Sequence, residues 1–519
     1  MPADNVSSNS LEWGLTHILR FGDTDIFPVP FEFKCLKSAW NMVGPRLAGI
    51  DLSTYRTGSP KRMLVPKPSG GFRVATQLDP IDAIIYAALV YESAPQIEAN
   101  RVPASRHVAC SYHVDIQPDG RLFSPENGWP EFHSKSEEYA KSGDFTHVLV
   151  ADIADFYSQI YTHRVQSALE AANVPADRSE NIERFLLSLT AKQTRGVPVG
   201  PTASILLAEA VLSDVDSFLL RHGHTFTRYV DDFRIFCRSR RQAIRVYHDL
   251  SKYLYTSHRL ALEQQKSKVL RVETFGTREL VDPQRLESES KLRKQQELIQ
   301  AIRLMSGYNI AEEDLLEGDQ QKVVRENLVD IFETCVSEKP LNLGLARYLL
   351  RRATALKTVA LNEVVFQNLT ALVPVFREVI NYLRVTIPKK AAKKRGREFL
   401  EFLTASNYGE IPFLRLWTIE LLLNRPDILD SDSALNLSYE FRDDIGLRQH
   451  ALIARRSKNL DWIREQKETW MNYPPWDRRA VIFAGSVLPP KERRIWLEMV
   501  AEATDDLLDR AVANAAKQC

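Results

Sequence analysis

From the N-terminus to about residue 285, short apolar runs alternate with Gly/Pro turns and helical stretches. HVLVADI and TRYVDDFRIFC have the length and β-branched or aromatic content of strands, so this half reads as α+β. Beyond it the texture changes. After the helix-prone, charged segment ESKLRKQQELIQAIRLM come successive amphipathic helices with almost no strand pattern, clearest over Leu343 to Leu356, Val375 to Leu383 and Phe413 to Leu423. Pro374, Pro388, Pro412, Pro426, Pro474, Pro475, Pro489 and Pro490 punctuate them. That spacing suggests helical hairpins stacked side by side as a solenoid, with a plain irregular helical domain as the alternative. The expected domains are residues 1–285 (α+β) and 286–519 (all-α).

A chain of 519 residues exceeds the usual size of one hydrophobic core, which agrees with two domains. With 44% hydrophobic and 26% charged residues and a net charge of +1, the whole molecule has no general attraction to a polyanion. Any nucleic acid must meet local basic patches. Cys35, Cys110, Cys237, Cys335 and Cys519 are far apart and never in zinc-ligand spacing, which argues against disulfide frameworks and fits a reducing cytoplasm. The N-terminal stretch has no signal-peptide pattern, and no apolar run approaches the roughly 18 residues a membrane span needs.

Candidate chemistry begins with Tyr229-Val230-Asp231-Asp232, flanked on both sides by strand-like residues. A paired carboxylate between two strands is costly to desolvate without a cation, although alone it is also a solvated turn. Its partner is VLVADIADFYSQIY, where an apolar run delivers Asp152 and then breaks; a helix N-cap is the plainer reading of that Asp. Two strands ending in Asp can hold two magnesium ions about 4 Å apart, one activating a 3′-hydroxyl and one neutralising leaving pyrophosphate. Phosphoryl transfer needs positioning and charge neutralisation, which is why carboxylates suit it better than His or Cys nucleophiles.

Three further segments surround this pair. Gly196 to Ser204, with Gly200 and Pro201 at its turn, precedes a helical run and can bring backbone close to a base pair; in isolation it is a capped helix start. Lys67 and Arg73 flank a Ser-Gly-Gly turn and can close over a triphosphate, or be solvated surface charges. Lys266, in LALEQQKSKVL, stands near a strand start, where a lysine can protonate departing pyrophosphate; singly, it is a solvated lysine.

In order, PKPSGGFR, VADIADFYSQIYTH, GVPVGPTAS, YVDD and LALEQQKSKV resemble the fingers, A, B, C and D motifs of reverse transcriptases. The resemblance implies a right-hand polymerase with fingers and palm over about 285 residues. It implies catalytic Asp152, Asp231 and Asp232, with Ile153 joining them as metal ligands to two Mg2+ ions, Mn2+ being the alternative. Tyr157 falls where the family has its aromatic gate against ribonucleotides, so Lys67, Arg73, Tyr157, Gly200, Pro201 and Lys266 form the expected nucleotide site. Closer still is the similarity to prokaryotic abortive-infection polymerases of the AbiK type and related defence-associated reverse transcriptases. It is carried by FGDTDIFPVPFEF, QLDPIDAIIYAALV, ACSY, FYSQIYTH, GPTAS followed by LAE, and WDRRAVIFAGSVLPPKERRIWL. Some members of that group attach DNA to their own protein without a template, and others copy a noncoding RNA.

Two departures matter. Val199 stands where retroviral and group II intron enzymes have Gln, and Glu263 where the D motif often has Asn. There is also no VTG-like segment after residue 270 and no acidic strand cluster of ribonuclease H type.

Pro388 to Arg397 contains six basic residues without an acidic one, expected between two helices as a phosphate-binding or solvated loop. Trp417, Trp470, Trp476 and Trp496 can stack bases, but aromatics in amphipathic helices are more often core. Tyr55 and the serines of NVSSNS are flexible enough to serve as priming hydroxyls. The expected activity is DNA synthesis from dNTPs in bacterial antiphage defence. The expected partners are a single-stranded DNA product, free or covalently attached, a noncoding RNA, and further copies of the chain, with no membrane. The rivals are a conventional RNA-templated reverse transcriptase of a mobile element and a catalytically idle nucleic-acid-binding scaffold.

Overall fold

The computed structural model describes residues 5–67, 71–125, 128–280, 320–337, 341–405, 408–429 and 446–519. The helix expected over 289–305 and the domain boundary at 285 lie outside the described residues. Two compact units form: Met1–Asp25, Leu47–Lys61 and Thr76–Ala311, and Ile26–Arg46, Arg62–Ala75 and Glu312–Cys519. Two early segments thus fold with the helical half.

In chain order, β1 (Lys61–Pro66) and β2 (Phe72–Gln77) make a hairpin. The first unit is built on an antiparallel sheet of β3 (His147–Asp152), β4 (Thr225–Tyr229), β5 (Asp232–Cys237) and β6 (Lys268–Arg271), in the order β4-β5-β3-β6. The expected strands are therefore present. Their apolar residues are nearly continuous rather than alternating because successive side chains point to opposite faces and both faces are buried. Val148 and Phe236, paired across β3 and β5, join Phe275 and Leu280 in one cluster against Tyr139 and Phe145. Helix Arg240–Tyr253 packs on β3, β5 and β6, and helix Trp129–Lys141 on β4 and β5.

Helix Thr202–Arg221 is buried along most of its length and packs against Pro80–Asn100 and Thr162–Ala171. Pro80–Asn100 starts where the Asp79 side chain accepts from the Ile81 N–H and Pro80 takes the first helical position, whose missing N–H has no intrahelical partner to lose.

In the second unit the three clearest predicted helices are present as Leu343–Ala355, Phe376–Thr386 and Pro412–Asn424. They pack in succession, followed by Gly446–Ser457, Pro475–Ala484 and Leu507–Gln518. Several prolines that read as breaks are starts: Pro412, Pro475 and Pro490 each open a helix. Glu32, fully buried, accepts from both terminal nitrogens of Arg448 at 2.7 Å, and Arg479 lies 3.4 Å away. Arg478 reaches Asp509 at 2.6 Å. These pairs give FGDTDIFPVPFEF and WDRRAVIFAGSV a shared structural task.

Trp417, Trp470, Trp476 and Trp496 are all core residues here, with 3–6% exposure. The basic run departs from expectation. Instead of a loop it forms a 3-10 turn, Lys389–Ala391, and the start of helix Ala392–Ala405, with Arg395 held by Glu363 and Glu398. The pairs of Arg395 with Glu363 and Glu398 offset the crowding of like charges, and Gly396, with no side chain, lets this helix lie directly on Ile428.

A β-carbon on Gly396 would come within 2.2 Å of the Ile428 carbonyl oxygen. Helix propensity alone favours Ala over Gly by about 1 kcal/mol, but overpacking against backbone costs about 1–3 kcal/mol. Gly396→Ala is therefore expected to lower the melting temperature by a few degrees; a rise would show that the contact yields.

Candidate active site

Asp152 ends β3 and Asp232 begins β5, and the two are direct partners in the antiparallel register. Tyr229, the last residue of β4, also pairs with Asp232, leaving Val230 and Asp231 as a two-residue hairpin turn. Strand register thus places two carboxylates opposite each other and a third beside them. Asp152 is a strand end, not a helix cap.

Lys266 enters from the segment before β6, its Nζ 3.0 Å from Asp152 Oδ2. That segment is tied down by the Glu263 N–H donating to the Asp152 carbonyl at 2.7 Å and the Ala154 N–H donating to the Ala261 carbonyl at 2.9 Å. Between those bonds Ile153 faces Leu262 across an isolated bridge, so the ladder is made by the neighbours of Ile153. Burial followed by the charge of Asp152 pushes Asp231 up to about 6. Burial, then Asp231 and Asp152, push Asp232 up to about 7, against the pull of Lys266 and Arg234. Burial alone would lower the Lys266 pKa, but the bond and charge of Asp152, with Asp232 and Asp231, raise it. The site is short of positive charge.

That deficit is the test of fit for divalent ions. Among the described residues no three His, Cys, Asp or Glu side chains already gather as a ready-made metal cluster. The donor set fits nonetheless: hard carboxylate oxygens, crowded enough to hold protons above their usual range, with an ammonium on one of them.

The A and B segments are joined through backbone. The Val197 N–H donates to the Tyr157 carbonyl and the Gly196 N–H to the Ile160 carbonyl, both at 2.9 Å. Tyr157 is half-buried on the short helix Phe156–Gln159. Gly200 has φ +129, and a β-carbon there would meet Thr24 Cγ2 and the Thr76 carbonyl oxygen at 3.1 Å, so glycine is required. Pro201 immediately precedes helix Thr202–Arg221. The Thr76 N–H donates to the Val199 carbonyl at 2.8 Å, which gives Val199 a backbone role. Lys67 and Arg73 belong to the β1–β2 hairpin stretch, which is grouped with the second unit; the turn residues 68–70 lie outside the described residues.

Tyr55 is not a free hydroxyl. It donates to Asp82 at 2.6 Å, and its ring stacks on Phe185 at 6.4 Å. Of the N-terminal serines, Ser7 caps helix Ser8–Phe21 and Ser10 is buried, while Ser8 is exposed.

Sequence reasoning missed the support beneath the turn. Arg228, fully buried, donates to Asp216 at 2.7 and 2.5 Å, to the Val230 carbonyl at 2.9 Å, and lies 3.0 Å from Glu209. Arg234, on β5 and two residues beyond Asp232, is buried with its guanidinium 4.0 Å over the Phe132 ring. The available signal was a charge inside an apolar run: Glu209 in ILLAEAVL, Arg228 in TFTRYV and Arg234 in DFRIF.

Residues 65–298 match the family model described as reverse transcriptase (RNA-dependent DNA polymerase). No curated protein matches the chain. Among solved structures it is similar to telomerase from Candida albicans in complex with a TWJ fragment of telomeric RNA, at 14% identity and TM-score 0.30, covering 84% of this chain and 71% of that one. Apo telomerase from Candida tropicalis gives 12% identity and TM-score 0.32, covering 80% and 68%. The family match identifies a reverse transcriptase domain, and with it a nucleotidyltransferase.

The raised carboxyls carry a pH signature. Asp231 and Asp232 keep protons in the folded chain to about 6 and about 7, above the ordinary value of 3.8, so the fold binds more protons than the unfolded chain in that window. Their contribution to stability is accordingly lost as pH rises from about 4 to about 7. Both keep a solvent-facing edge, which softens the effect. In chelator, Asp232→Asn is expected to flatten the fall in melting temperature between pH 5 and pH 8; an unchanged slope would refute the crowding.

Proposed function

We propose that this nucleotidyltransferase, with its reverse transcriptase domain over residues 65–298, synthesises DNA from dNTPs by phosphoryl transfer at Asp152, Asp231 and Asp232. The observation that carries the reading is the register pair Asp152–Asp232 with Asp231 on the adjoining turn. Divalent ions, proposed to be Mg2+ held by Asp152, Asp231, Asp232 and the Ile153 backbone, would supply charge neutralisation and activation of the 3′-hydroxyl. This chain's residues do the rest. Lys266, held protonated by its acidic neighbours, exchanges Asp152 for the leaving pyrophosphate and gives it a proton. Tyr157, on backbone fastened to the B segment, bars a 2′-hydroxyl. Lys67 and Arg73 are proposed to neutralise the triphosphate.

The defence setting rests on the resemblance to AbiK-type polymerases, and the succession of packed helices in the second unit supports a solenoid-like scaffold there. Protein priming is the finer alternative to priming by nucleic acid. Product that migrates with protein and is released by proteolysis supports it; product released by ribonuclease, or free, excludes it.

Asp152→Ala and Asp231→Ala are expected to abolish incorporation of labelled dNTPs, a loss of at least about a thousandfold, without lowering the melting temperature, since each removes one of several crowded like charges. Retained polymerisation in either variant would sink the mechanism. Tyr157→Ala is expected to raise ribonucleotide use relative to deoxyribonucleotide use about tenfold or more, as loss of a steric contact does. An unchanged ratio would remove Tyr157 from the site.

A further inference from the structure

Val230 has φ +53, a left-handed conformation that costs a β-branched residue more than most, at a turn of a length that favours glycine or asparagine. Something must hold it. Its N–H donates to Ser111 Oγ at 2.9 Å, and its carbonyl accepts from Arg228 Nη1 at 2.9 Å. Both backbone polar groups of the strained residue are therefore fastened.

The Ser111 contact is itself aimed. Its hydroxyl proton is committed to Glu209 Oε1 at 2.5 Å, which leaves an oxygen lone pair for the Val230 N–H. Glu209 Oε2 accepts from Arg101 at 2.9 Å and lies 3.0 Å from Arg228. Arg101 also donates to the carbonyls of Ser111 at 2.6 Å and Tyr112 at 2.8 Å, fixing the backbone that carries the serine. Ser111, Glu209 and Arg228 have no solvent exposure. A glutamate on a buried face of helix Thr202–Arg221 is expensive unless its charge is used, and both its oxygens are used within this network.

We infer that Ser111, oriented by Glu209, is a positioning residue for nucleotidyl transfer: it clamps the Val230 peptide in the left-handed state that sets Asp231 and Asp232 against Asp152. The inference rests on the polymerase reading of those carboxylates, and its test separates the two.

Ser111→Ala removes the acceptor but leaves Glu209 paired with both arginines, so the fold persists. The expected result is a kcat about ten- to a hundredfold lower, because a small misplacement of reacting groups is that costly, with the dNTP KM within about twofold. Hydrogen exchange of the Val230 amide accelerates in the same variant. Adding Val230→Gly to Ser111→Ala restores most of the lost kcat, since glycine adopts positive φ without a clamp. An unchanged kcat in Ser111→Ala, or a loss that Val230→Gly does not repair, overturns the inference. Should the unsubstituted protein incorporate no nucleotide, the polymerase reading fails. The exchange rate of the Val230 amide in Ser111→Ala still decides the clamp: faster upholds it, unchanged refutes it.

Discussion

Arg228 is the interaction on which the carboxylate-bearing turn depends. Its guanidinium, without solvent exposure, binds Asp216, faces Glu209 and reaches the carbonyl of Val230. Burial opposes the charge, but the two carboxylates outweigh it and hold the group protonated. Removing one partner of such a set leaves another charge buried alone, a cost of about 3–5 kcal/mol. Backbone, helix and turn are therefore coupled: the peptide before Asp231 cannot relax without breaking the ionic network that joins β4 to helix Thr202–Arg221.

Above that anchored floor the site is electrostatically unfinished. Asp152, Asp231 and Asp232 are brought together by register, and Lys266 and Arg234 are the cations that pull on Asp232. Arg234 is buried against the face of Phe132, where it lowers the cost of the acids. Lys266, on a side chain 64% exposed, is the movable one. A fixed cation behind and an exposed one in front suit the proposed function, in which the centre accepts and releases highly charged groups.

The second unit solves a different problem. Its helices are short, so stability comes from packed faces and from ion pairs linking distant segments, such as Glu32 with Arg448 and Arg478 with Asp509. Close contacts do the rest. Gly396 lies against Ile428, and a β-carbon on Gly485 would come within 2.1 Å of the Trp496 ring.

Period and local chemistry were enough to read much of this from residues alone. The strands bearing Asp152 and Asp232, the turn between β4 and β5 and the helical second half all follow from apolar runs broken at charged or turn-forming residues. Such signals are local, because they report on neighbours a few positions apart. What only the tertiary structure decided is long-range. Glu209 meets Ser111 across 98 positions, the helix begun by the basic run Lys389 to Arg397 packs on Ile428 through Gly396, and Tyr55 spends its hydroxyl on Asp82. Segments Ile26–Arg46 and Arg62–Ala75 join the helical unit for the same reason. Burial and pairing depend on which segments close upon each other, and a charge within an apolar run announces a partner without saying where along the chain it lies.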